Sequence, residues 1–184
     1  MSYPSRKILE FLFGKDKVRM LSPALGIASS SKKRVFYNIG VSDLDKDVFT
    51  RTVWKLRRSK LLEFKEDGNG FVRAVLTEAG KRRILSYRFE DMEINKPRRW
   101  DGKWRIVAFD IPENKKAARN ALGGKMRSMG LLPFQKSLWI YPYECQNEID
   151  FIAGIFEVGR YVHYIVTHSI TNDDLLKKRF NIKS

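Results

Sequence analysis

The stretch Asp67-Gly68-Asn69-Gly70 constrains the fold of this chain more than any other short segment. Gly and Asn tolerate positive φ, so these residues favour a tight hairpin turn. β-favouring residues flank them, Leu61 to Lys65 before and Phe71 to Leu76 after. The pattern predicts a two-stranded ribbon. Upstream, a helix is predicted from about Leu44 to Lys60, with Ser42 or Asp43 as its cap. Acidic Asp43, Asp45 and Asp47 lie at its start and basic residues crowd its end, which complements the helix dipole. Val48, Phe49, Thr52, Val53 and Leu56 form its apolar stripe. Arg51, Lys55 and Arg58 recur at i, i+4 and i+7 and share another face, with Trp54 and Arg57 beside them.

Around this helix–ribbon pair the pattern predicts two further helices. The first is capped by Ser5, carries Ile8, Leu9, Leu12 and Phe13 at helical spacing, and ends at Gly14. The last is capped by Thr77, with Glu78 in its first turn. It carries Lys81, Arg82 and Arg83, and offers Ile84, Leu85 and Tyr87 for packing. Residues 17–29 fit either a helix interrupted by Pro23 or an apolar loop, and Ser29 to Arg34 reads as a basic loop. Helix, basic helix, ribbon and helix is the order of a winged helix-turn-helix. Its basic helix suits a major groove, and the ribbon tip suits a minor groove or backbone. The DNA-contacting candidates are Arg51, Trp54, Lys55, Arg57, Arg58, Asn69, Arg73, Lys81 and Arg82.

Charge points to the same partner. The 184 residues carry a formal net charge of +15. An excess of this size repels itself in a compact chain unless a polyanion screens it, and nucleic acid is the usual one. Double-stranded DNA is the expected partner, and RNA is the other polyanion that fits. Residues 1–100 hold 23 Lys and Arg against 12 Asp and Glu; residues 101–184 hold 13 against 9. The first half is therefore the stronger electrostatic anchor. Hydrophobic residues make up 43% of the chain and aromatics 12%, enough for a packed core. A single cysteine, Cys145, excludes an internal disulfide and fits a reducing cytoplasm. The chain shows neither a secretory signal pattern nor an apolar run long enough for a membrane span, so no membrane partner is expected.

The second half reads as β-α-β-β-α-β, a ferredoxin-like unit. Trp104 to Phe109 is its first strand, and Asn114 to about Met129 its first helix, containing Gly123-Gly124 and ended by Gly130. Leu131 to Gln135 and Ser137 to Tyr141 are strands, Gln146 to Phe156 a helix, and Tyr161 to Thr167 the last strand. Trp139 and Tyr141 read as core and Cys145 as structural. The expected fold class is α+β. Residues 1–95 form the winged-helix domain, 96–102 a linker around Pro97, 103–170 the ferredoxin-like dimerisation domain, and 171–184 a tail whose short helix packs on a partner.

The run Ile106-Val107-Ala108-Phe109-Asp110-Ile111-Pro112, with Arg119, Leu122, Gly130 and Gln135-Lys136-Ser137-Leu138-Trp139-Ile140, resembles CRISPR-associated protein two. With Trp104 before it and Tyr141-Pro142 after it, the run also resembles the central domain of PaaX-type transcriptional repressors. In those repressors a winged-helix domain precedes the related unit, and the domain order here matches that arrangement better. The resemblance spans roughly residues 40 to 170. PaaX-type repressors continue into a further domain, so the resemblance does not carry over acyl-CoA effector sensing.

The resemblance implies a homodimeric, DNA-binding transcriptional regulator. Its alternative is an Mg²⁺-dependent endonuclease, or a non-catalytic subunit of spacer acquisition. For that alternative it implies that Asp110, one per subunit, holds Mg²⁺ at the dimer interface and is catalytic. Hard oxygen ligands suit that ion. A third reading is an adaptor that binds a protein through a sheet edge or the tail.

Overall fold

The computed structural model describes residues 2–14, 18–20, 44–67 and 71–182. They fall into two compact units, residues 1–90 and 91–184.

In the first unit α1 (Tyr3–Gly14) starts two residues before the Ser5 cap expected from the sequence. Pro4 sits in the first turn, where its missing N–H costs nothing. Ser5 is buried inside the helix, its hydroxyl 3.0 Å from that of Ser2. The short β1 (Val18–Met20) lies where a helix or loop was expected. The basic loop Ser29–Arg34, the Ser42 and Asp43 caps and the Gly68–Gly70 turn lie outside the described residues. The helix α2 (Lys46–Arg58) is capped by Asp45, whose Oδ1 accepts from the N–H groups of Asp47 (2.9 Å) and Val48 (3.2 Å).

The strands β2 (Leu62–Asp67) and β3 (Phe71–Leu76) pair antiparallel from Leu62 opposite Leu76 to Asp67 opposite Phe71. On the other side β1 pairs with β3, giving the sheet order β1-β3-β2. The helix α3 (Glu78–Glu90) follows. Thr77 caps it as expected: its Oγ1 accepts from Gly80 N–H at 3.0 Å and donates to the Lys60 carbonyl at 2.7 Å. The core joins Ile8, Leu9 and Leu12 of α1 to Phe49, Val53 and Leu56 of α2, and to Leu62, Ala74, Ile84 and Tyr87.

The second unit holds β4 (Trp104–Phe109), α4 (Lys116–Ser128), β5 (Leu132–Gln135), β6 (Leu138–Tyr141), α5 (Gln146–Ile155), β7 (Val162–Thr167) and α6 (Asp173–Arg179). Its sheet order is β5-β6-β4-β7, with every neighbouring pair antiparallel. The outer strands are the second and fourth of the four, which is ferredoxin-like topology. The helix α4 runs through Gly123-Gly124. A Cβ on Gly123 would stand 3.5 Å from the Trp139 ring, so this glycine marks close approach of α4 to β6. Trp139 and Tyr141 are buried, in agreement with a core role.

The C-terminal helix α6 has contacts with its own unit. Asp173 accepts from Trp104 Nε1 at 2.6 Å and pairs with Lys177. Phe180 stacks 5.8 Å from Trp104 and from Tyr141. The Trp104–Asp173 contact spans 69 residues, and no local pattern reveals it.

Candidate nucleic-acid interface

The inward face of α2 is fixed by Phe49, Val53 and Leu56, so its other face must turn to solvent. Arg51, Trp54, Lys55 and Arg58 are all exposed there. Arg57 differs. Its guanidinium lies 5.1 Å from the Trp54 ring and 4.9 Å from the Phe64 ring, and Trp54 meets Phe64 edge-on at 5.6 Å. Such stacking fixes the Trp54 indole against β2. Arg57 therefore positions this face more than it extends it.

Strand register assembles a second group. Arg73 on β3 stands opposite Arg19 on β1 and opposite Lys65 on β2, a row of cations across the three strands. Lys65 pairs with Glu63 at 2.9 Å. Asn69 lies outside the described residues. Lys81 and Arg82 are exposed on the first turns of α3, with Lys81 bonded to Glu78 at 2.8 Å. The structure thus brings Arg51, Trp54, Lys55 and Arg58 onto one helix face. It places Arg73 in the ribbon and Lys81 and Arg82 on a different helix.

Asp110 is exposed just past the end of β4, its N–H donating to the Tyr161 carbonyl at 3.0 Å. Its acidic neighbour Glu113 is already engaged by Arg119 at 2.8 Å and Lys116 at 3.4 Å. Those hydrogen bonds, with Lys136 adding to them, hold the Glu113 carboxyl below the ordinary range. His163 lies opposite Ala108, exposed on β7. Among the described residues no three His, Cys, Asp or Glu side chains group to hold a metal ion. Asp110 is a single carboxylate in each subunit, whereas Mg²⁺ takes several oxygen ligands.

Not anticipated from the sequence is Arg105, a buried cation on β4. Its guanidinium makes paired 2.6 Å bonds to Asp101 and also donates to the carbonyls of Lys103 (2.7 Å) and Pro142 (2.8 Å). Its place in an otherwise apolar strand gave the only signal. Cys145 is buried beside Tyr164, and burial pushes its thiol up to about 12. That makes it inert.

These features define a basic α+β protein of two units, with an exposed cationic helix in the first and a ferredoxin-like sheet in the second. Residues 97–177 match the family described as the PaaX protein central Cas2-like domain. The chain is thus PaaX-like over that domain, in keeping with the resemblance carried by its Ile106–Pro112 and Gln135–Ile140 runs. No curated protein matches the chain. No helix among the described residues is long and apolar enough to cross a membrane.

Proposed function

We propose that this chain is a homodimeric, PaaX-like transcriptional regulator of the cytoplasm that binds double-stranded DNA. The first unit is the winged helix-turn-helix: α2 enters the major groove and the β2–β3 ribbon is the wing. The second unit pairs two subunits, so that two recognition helices meet adjacent half-sites. The observation that carries this reading is the solvent face of α2, where Arg51, Trp54, Lys55 and Arg58 are exposed together. The cationic register row Arg19, Arg73 and Lys65 supports it from the ribbon. The PaaX-type match of residues 97–177 supports the regulator class.

Binding to random duplex DNA over a salt series tests the reading. Affinity falls steeply with salt, because each phosphate contact adds roughly 0.9 to the logarithmic slope. Arg51→Ala with Lys55→Ala lowers that slope by about two and removes binding at physiological salt. Unchanged affinity in the double variant would overturn the assignment of α2. Sedimentation shows a species of twice the 21.6 kDa chain if the dimer is correct. The cation-engaged Glu113 favours binding without cutting. Cleavage that requires both Mg²⁺ and Asp110 would reverse that.

A further inference from the structure

Between α3 and β4 the backbone forms neither helix nor strand over residues 92–103. Both ends of the segment Asn95-Lys96-Pro97-Arg98-Arg99 are held. Ile94, before it, is buried. Trp100, after it, donates from Nε1 to the Lys103 carbonyl at 2.9 Å and packs 4.9 Å from the fully buried Trp104. The five residues between these anchors are all exposed. Pro97 fixes its own φ and keeps Lys96 extended, and the chain bends at Arg98-Arg99.

Several cations of the second unit are already engaged by neighbours. Arg105 and Arg119 are bonded to carboxylates, Arg127 lies over Trp139, and Lys177 pairs with Asp173. Lys96, Arg98 and Arg99 make no hydrogen bond, ion pair or ring contact with the described residues. Three cations crowd into four residues; Arg99 shares a cleft with Asp101, Glu144 and Glu148, and an external anion relieves the remaining repulsion. Because the arch is anchored at both ends, binding costs it little ordering entropy.

The geometry points to a second DNA-contacting element: the arch 95–99 lays the Arg98-Arg99 pair into a minor groove, with Lys96 on the adjoining phosphates. This rests on the DNA-binding reading above and adds a contact that the helix and wing do not supply. Arg suits a narrow A·T-rich groove better than Lys, being more weakly hydrated and drawn by the stronger negative potential there.

The test uses the full chain, with anisotropy titrations on an A-tract duplex and a G·C duplex of equal length over a salt series. The wild type prefers the A-tract. Lys96→Ala, Arg98→Ala and Arg99→Ala together lower the salt slope by about two to three. Arg98→Lys with Arg99→Lys keeps the slope and loses the A-tract preference. All these side chains are exposed, so the unfolding temperature stays that of the wild type, which separates lost contact from lost fold. A triple variant with the wild-type slope overturns the inference. If Arg51→Ala with Lys55→Ala still weakens binding, the DNA-binding reading survives that result. A lowered slope without an A-tract preference in the wild type overturns the groove placement. A wild type with no salt-dependent affinity for either duplex overturns both readings.

Discussion

Replacing Gly80 by Ala probes the seat of α3 on the strand that follows α2. A Cβ at this buried position would stand 2.1 Å from the Leu61 carbonyl oxygen and 3.1 Å from Leu76 Cδ2. The carbonyl cannot simply retreat. It accepts from Thr77 N–H at 3.2 Å, and the Lys60 and Leu61 amides are tied to the carbonyls of Arg57 and Leu56. Lys60 already has a φ of 56°, so this corner has little slack. In an open helix Ala would gain about 1 kcal/mol over Gly. Here overpacking costs about 1–3 kcal/mol, and loss of the Thr77 bond adds about 1 more. The net is a loss of roughly 1–3 kcal/mol, which lowers the first unit's melting temperature by about 5–15 °C. Gly124 is the control: no heavy atom lies within 4 Å of its would-be Cβ. Gly124→Ala stabilises the second unit by about 1 kcal/mol. Scanning calorimetry reads both signs. A Gly80→Ala protein as stable as the wild type would refute the reasoning.

Arg105→Met removes four hydrogen bonds from a nearly dry guanidinium and strands the Pro142 carbonyl. The expected cost is about 2–3 kcal/mol by chemical denaturation, because half-exposed Asp101 can rehydrate. Acid stability depends on the same pair. The hydrogen bond from Arg105 holds the Asp101 carboxyl below its ordinary value of 3.8. A depressed carboxyl contributes stability that is present above its unfolded pKa and lost as pH falls through the folded one. Melting temperature therefore drops below about pH 4, and Asp101→Asn flattens that limb while lowering stability near neutrality. Cys145, with its thiol pushed up to about 12 by burial, reacts with a thiol reagent at neutral pH only after denaturant is added; fast native labelling would contradict its burial.

The second unit was legible because turn and breaker residues punctuate its strands and helices. Trp104 to Phe109 and Gln146 to Ile155 fall within a residue of expectation. The β1 strand was not, since Val18-Arg19-Met20 is too short for a period, and only its pairing with β3 defines it. The α2 cap was blurred by several acids in a row; Asp45 takes the role because its carboxylate reaches two free N–H groups. The exposed basic face of α2 followed directly from spacing. That Arg57 leans on Phe64 did not, because the ring belongs to the next strand. Lys96, Arg98 and Arg99 fall in the stretch read as a linker around Pro97, and its anchoring by Ile94 and Trp100 emerges only in the folded chain.

Salt-dependent affinity of the full chain for duplex DNA, measured beside Arg51→Ala with Lys55→Ala, tests the central claim most directly. The account predicts a steep fall of affinity with salt in the wild type and loss of binding at physiological salt in the variant. A wild type without affinity, or a variant that binds as well as the wild type, would contradict it.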